Sequence, residues 1–495
     1  MKKLLIIYGL LYLLCYQAVQ GQDYNYLKSA TNTGNGTTTN NSNAWTDVVS
    51  VTIDVANVSY VLVTASMNMR PDGTNPNTRE ADYNIYRSDD VDDKSGLIRR
   101  QINSNSEANV ESWGIGTLVH IFDVSAFTSG TKTFTLEHSN NNTADEKNVY
   151  TSARLTAVAL TTANAPYFEL SNATKRGESS AYTSSNTFVP IDNLTTDAIS
   201  LPISGDIYVS ASIGAKSYSA SGSNVGGYRL EYSDDGGTNW YALGKALQRT
   251  MSGDNDDGII SLVGLLQNQA AGDDYKFRAA HRLVSGTGEM RTHNSNIVAV
   301  ALAHEGGYSF PSFYSEVGTA GVDITGVSAP FATVTSSGFT AAADIGGTLS
   351  SLFVNSQYLV EATGLNEGTP QRMRDGNHIK VTGPSTGTAE EYLRYIGSNG
   401  SYGSCAFIGL MSGLVSEGSY TIEMQHEVNY ISNPDGTEDE TLNTSEVILT
   451  GFQTFDEPEF YWNGSAADND WNNSSNWSDG VPNATQFAII PITLL

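Results

Sequence analysis

Cysteine is almost absent from this chain of 495 residues; the two that occur are Cys15 and Cys405. Cys15 lies in an apolar N-terminal run, so one cysteine remains downstream of it and no disulfide can staple the chain internally. Basic residues are scarce as well: 26 Lys and Arg stand against 53 Asp and Glu, a formal net charge of −27. Nucleic acid and anionic membrane both attract basic patches, so neither is expected as a partner. After the N-terminal run no apolar stretch approaches the ~20 residues that a spanning helix needs, and membrane insertion is not expected. Sustained helical spacing is also missing, with residues 240–249 the best short exception, enough for one or two helical turns.

The first 21 residues read as an export signal: Lys2 and Lys3 precede the apolar run 4–14, and a small-residue site follows at Val19-Gln-Gly21. Leu14 is bulky where a lipidation site before Cys15 needs a small residue. Cleavage leaves 495 minus 21, or 474 residues, and removes two lysines, taking the charge from −27 to −29. An exported chain without staples needs sizeable cores.

What is present is a threefold repeat with a period of about 140 residues, long enough for whole domains in series and too long for a solenoid. Tyr60-Val-Leu-Val-Thr-Ala-Ser66 is answered by Ile207-Tyr-Val-Ser-Ala-Ser-Ile213 and Tyr358-Leu-Val-Glu-Ala-Thr-Gly364. Leu118-Val-His-Ile-Phe122 is answered by Leu262-Val-Gly-Leu-Leu266 and Phe407-Ile-Gly-Leu-Met411. The alignment predicts units at 23–163, 166–305 and 308–453, followed by the start of a further β-rich region at 458–495. The joints, Thr161-Thr-Ala-Asn-Ala-Pro166 and His304-Glu-Gly-Gly307, are short and polar, and predict units spaced in a rod without firm ties.

Short alternating or doubly apolar runs bounded by Gly, Asn, Asp and Ser predict an all-β fold of tandem antiparallel β-sandwiches of jelly-roll type. Each unit ends in a strand apolar on both faces, such as Ile297-Val-Ala-Val-Ala-Leu302, which belongs mid-sheet with cover on both sides or at a tightly packed sandwich centre. The order of phrases is similar to the jelly rolls of the tumour-necrosis-factor and complement-head families.

Ser233-Asp-Asp-Gly-Gly-Thr-Asn-Trp240 fits the Asp-box pattern, a structural hairpin in which Ser233, Asp235, Gly237 and Trp240 hold the turn. His138, His281 and His426 recur 143 and 145 residues apart. Strand alternation puts them on the same side as Phe134, Phe277 and Ile422, so they read as structural rim or core histidines bonded to a backbone group. Calcium, if any cation binds, should sit on the acidic turns: Asp89, Asp90 and Asp92, or Asp254, Asp256 and Asp257. Solvated turns are the plainer reading, and neither stretch matches an EF-hand loop. Cys405 aligns with Ile260 in an apolar strand and reads as a small buried hydrophobe. Tyr218, Tyr402 and Tyr430, in polar Gly/Ser-rich surroundings, are the candidate ligand contacts. No nucleophile elbow, zinc spacing or phosphate loop appears, and no cofactor is expected.

Phe460-Tyr-Trp-Asn-Gly464, Asp470-Trp-Asn-Asn473, Asn476-Trp-Ser478 and Gly480-Val-Pro482 resemble a segment that recurs in very large secreted adhesin-like proteins of the Bacteroidota. That resemblance, over 460–491, implies the N-terminal part of something longer. The expectation is therefore a secreted, non-enzymatic, modular surface adhesin whose partner is an extracellular glycan or surface protein. The alternatives are a glycan-binding appendage of a polysaccharide-degrading enzyme and a filament or sheath subunit that self-associates.

Overall fold

The computed structural model describes residues between Lys28 and Ile489, leaving out 39–43, 56–57, 73–78, 103–113, 128–129, 141–147, 161–169, 178–181, 202, 219–221, 253–256, 304–310, 319–321, 326–328, 343–349, 364–371, 385–386, 389–391, 397–400, 433–440, 457–459, 462–469, 477–480 and 482–487. The chain is nearly all β. The first nine strands are β1 (Lys28–Thr38), β2 (Thr46–Asp54), β3 (Tyr60–Asp72), β4 (Arg79–Arg87), β5 (Asp90–Lys94), β6 (Ile98–Ile102), β7 (Gly114–Asp123), β8 (Thr131–Asn140) and β9 (Asn148–Leu160). They form an inner sheet β1-β9-β3-β7 and an outer sheet β2-β8-β4-β5, with β6 also on β4.

The order recurs in the next nine: β10 (Leu170–Lys175), β11 (Val189–Thr195), β12 (Ile199–Ser200), β13 (Gly205–Tyr218), β14 (Ser223–Ser233), β15 (Tyr241–Ser252), β16 (Asp257–Gln269), β17 (Asp274–Ser285) and β18 (Glu289–Ala303). Here the inner sheet is β10-β18-β13-β16 and the outer sheet β11-β17-β14-β15. The third set is β19 (Ser312–Val317), β20 (Val322–Thr325), β21 (Ala329–Thr340), β22 (Ser350–Thr363), β23 (Arg372–Thr382), β24 (Gly387–Thr388), β25 (Tyr392–Ile396), β26 (Ser401–Leu414), β27 (Ser419–Ser432) and β28 (Thr441–Asp456). Its inner sheet runs β26-β22-β28, edged by β19 and β20, and its outer sheet β21-β27-β23-β24. All three are jelly rolls with the same strand positions filled. A short parallel pair, β29 (Phe460–Tyr461) with β30 (Ala488–Ile489), follows.

Each sandwich has its own core between its two sheets. A fourth apolar cluster belongs to all three: Leu62, Val158 and Leu160 meet Tyr208, Val300 and Leu302 and then Phe353, Ile448 and Phe452. This explains the strands apolar on both faces. In β18, Ile297, Ala299 and Ala301 face the sandwich core while Val298, Val300 and Leu302 face the shared cluster. The second covering layer is thus the neighbouring sandwiches, and the expectation of loosely spaced units is corrected. Short polar joints do not keep domains apart when their inner sheets present apolar faces to each other.

The three contacts close a ring. Edge strand β7 of the first sandwich packs on the second, where Val119 N donates to Ser212 Oγ at 3.3 Å. Edge strand β16 of the second packs on the third, where Val263 N donates to Gln357 Oε1 at 2.7 Å. Edge strand β26 of the third returns to the first, where Arg154 Nη1 donates to Leu410 O at 3.5 Å. Burying these edges removes the sites at which strands of other chains would pair. A two-residue parallel bridge from β1 to β28 joins the first and third inner sheets.

The helical reading of 240–249 is also corrected. Leu243 and Leu247 stand four apart, a spacing that suits a helix turn, yet both point into the second core from a strand paired to β14. The register slips between Tyr228 and Leu230, and Gly244 takes a φ of +69° beside Ile448 of the third sandwich, where any side chain would collide. Among the described residues no helix is long and apolar enough to cross a membrane.

Candidate binding surface

The Asp box forms a turn held by its own side chains. Asp235 accepts from the backbone of Thr238 and Asn239, each at 2.9 Å to Oδ1, and from the hydroxyl of Ser233 at 2.7 Å. The Asn239 amide, then the Ser233 hydroxyl, hold its carboxyl well below the usual range. Gly236 and Gly237 take φ of +73° and +105°, and Trp240 Nε1 closes the turn on Gly237 O at 3.0 Å.

The three histidines are buried. His138 Nδ1 meets the Thr151 hydroxyl at 3.2 Å, and that hydroxyl also meets Tyr83 Oη at 2.9 Å. His426 Nδ1 likewise meets Thr444, while His281 tilts against Tyr228 at 6.4 Å between ring centroids. For the first and third the partner is thus a threonine hydroxyl on the last inner strand, where a backbone group was expected. Burial pushes all three down to about 4, so they are neutral at physiological pH.

Of the acidic turns, Asp89 and Asp90 face Arg87: its Nε reaches Asp89 Oδ1 at 2.7 Å, its Nη2 Asp90 Oδ2 at 3.6 Å, and its Nη1 Asp93 Oδ2 at 3.0 Å. Asp92 is exposed, its backbone N donating to Asp90 Oδ1 at 3.2 Å. Asp254 and Asp256 lie outside the described residues. Asp257 is not on the turn but buried at the start of β16, 2.7 Å from His293 Nε2 and 3.9 Å from Arg99 Nη1 of the first sandwich. Among the described residues no group of His, Cys, Asp and Glu is arranged to hold a metal ion.

Tyr218 is half-buried at the end of β13, with the Arg291 guanidinium 3.5 Å over its ring. Tyr402 and Tyr430 fall in β26 and β27, and Cys405 in β26, but their side chains lie outside the described residues.

With the inner sheets turned to each other, the outer sheets face solvent, and each has its own chemistry. On the first, hydroxyls pair across strands, Ser50 with Thr135 and Thr52 with Thr133, each at 2.8 Å. On the third, Thr333 donates to Glu423 at 3.0 Å and Gln425 donates to Thr333 at 3.2 Å. The second is cationic and aromatic. Arg278 lies 4.0 Å over Trp240 and donates to Glu231 at 2.7 Å, while Arg229 and Arg282 flank Phe188 at 4.1 and 4.6 Å. These arginines and Phe188 escaped the sequence reading, although its own alternation carries the signal. If Phe277, Ala279 and His281 point inward on β17, then Lys276, Arg278 and Arg282 point outward.

No family model matches the chain, and no curated protein matches it. Among solved structures, the N-terminal CBM22-1-CBM22-2 tandem domain of Paenibacillus barcinonensis Xyn10C is 12% identical over 58% of this chain and 99% of its own, with a TM-score of 0.18. PNGF-II is 8% identical over 79% and 98%, with a TM-score of 0.24. A triple jelly roll fold from an archaeal virus is 10% identical over 87% and 91%, with a TM-score of 0.15.

Proposed function

We propose that this chain is an exported, non-enzymatic binding protein of the adhesin type, acting on an extracellular glycan or surface protein. The observation that carries the reading is the division of labour between sheets: three inner sheets are consumed in one shared core, leaving three chemically different outer sheets on a single body. A catalyst needs titratable groups converging on an open cleft. Here the repeated histidines are sealed in sandwich cores and the Asp box holds a turn. Fixed orientation also changes how multivalency works, because the faces hold set positions instead of being strung on flexible linkers. A filament built by strand donation is disfavoured, since every jelly-roll position is filled from within the chain. The test is to incubate the exported full chain with arrays of extracellular glycans and glycoproteins. Retention without cleavage is expected; release of a shortened product would overturn the non-enzymatic reading.

A further inference from the structure

The outer face of the second sandwich carries a local charge opposite to that of the chain. Glu231, its carboxylate 4% exposed, is shared by Arg229 and Arg278. Lys276 and Arg282, on the same face, have no carboxylate partner among the described residues, and the buried Nε of Arg282 has no acceptor among them. On β14 and β17 four cations face outward against two carboxylates, Glu231 and the exposed Asp274 at the start of the row, a surplus of two positive charges in a protein whose formal net charge is −27.

The cations are also held in place. Trp240 supports Arg278, and Phe188 sits between Arg229 and Arg282. A guanidinium stacked on a ring has less rotamer freedom to lose; Glu231 already takes the Nε edge of Arg229 and Arg278, so the N–H groups beyond that edge and the terminal N–H groups of Arg282 are the ones offered to a planar or tetrahedral anion. The floor between them is low: Gly227 is opposite Arg282 and Ala280 opposite Arg229. A Cβ at Gly227 would stand 3.1 Å from Arg282 Cγ, so the arginine lies across bare backbone.

We propose that this face binds a linear anionic polysaccharide, one bearing uronate carboxylates or sulfate esters. The inference rests on the reading of the chain as a surface binding protein. Lys276 and Arg282 are six residue steps apart on β17, a row of ~20 Å that suits a chain of repeated charges better than a single small ion. Single-stranded nucleic acid fits less well, because the rings on which bases would stack already carry guanidinium groups. A protein partner fits less well too, since stable interfaces centre on apolar or aromatic anchors and this centre is glycine, alanine and arginine.

Calorimetry of the full chain with polygalacturonate, dextran sulfate and neutral dextran tests the assignment, the first two separating carboxylate from sulfate as the preferred group. Binding to at least one polyanion and not to neutral dextran is expected, weakening with added salt. Arg282→Gln and Lys276→Gln should each lower affinity about tenfold with unchanged melting, while Lys380→Gln on the third outer sheet should leave it unchanged. The assignment is overturned if both variants bind like the parent, if no polyanion is retained, or if single-stranded DNA or a second copy of the chain is preferred. Retention of some other glycan in those cases would leave the broader binding reading standing.

Discussion

Asn355 Nδ2 of the third sandwich donates to Tyr208 Oη of the second at 2.7 Å, inside the cluster that all three sandwiches share. Burial pushes the tyrosine up to about 12, so it stays a neutral hydroxyl with one amide partner across the junction. Asn355→Leu takes away the amide and leaves that buried hydroxyl with Ser210 alone, and should cost ~1–2 kcal/mol in urea unfolding. Adding Tyr208→Phe to the same background should recover part of the loss, because the under-satisfied polar group is then gone. Additive losses would show that the bond does not couple the sandwiches.

Phe353 packs against Phe452 at 4.9 Å between centroids and edge-on to Tyr208 at 5.8 Å, so truncation should be felt by two sandwiches together. Phe353→Ala should cost ~3–5 kcal/mol, and Phe353→Asp should open the ring. Small-angle scattering checks this directly. A single body of this length should have a radius of gyration of about 23 Å, and a string of separate sandwiches a much larger one. A parent protein already scattering as a rod would refute the closed ring.

The strands and their facing were legible because period-2 alternation reports burial locally. Phe277, Ala279 and His281 could be placed inward without any knowledge of the partner sheet. Closure of the ring was only half legible. Val298, Val300 and Leu302 announced a second covered face, but a strand cannot say whether a helix, a sheet or another domain covers it. The outer-face chemistry was missed for a different reason: Phe188, Arg229, Trp240 and Arg282 come from separate strands and loops and meet only through register.

The buried histidines predict acid sensitivity. Their folded values, about 4, lie below the unfolded value near 6.5, so between those pH values the unfolded chain binds the extra protons. Stability should therefore be full above about pH 6.5, fall as pH drops through that window, and level off with respect to these groups below about pH 4. Each could contribute on the order of 3 kcal/mol at the acid end. Thermal melts from pH 7.5 down to pH 4.5 should show a steep fall, shallower in His138→Gln. Equal slopes in the two proteins would exclude that histidine as a source.

Arg87 holds the acidic turn of the first sandwich together, which makes it the better test of whether calcium belongs there. Its guanidinium serves Asp89, Asp90, Asp93 and the carbonyl of Asp123, and Lys132 also reaches Asp89. Partial burial works against ionisation of Asp89, but Lys132 and Arg87 outweigh it and hold that carboxyl below its ordinary value. With its carboxylates already paired, the parent protein should melt at the same temperature in calcium and in chelator. Arg87→Gln removes the cation and leaves neighbouring carboxylates to repel one another, at a cost of about 2 kcal/mol from the lost charge-assisted bonds. Calcium should then restore part of the loss in the variant, since clustered carboxylates on a turn are the ligands it prefers. A calcium-dependent melt in the parent would instead mean that the ion and Arg87 occupy the turn together.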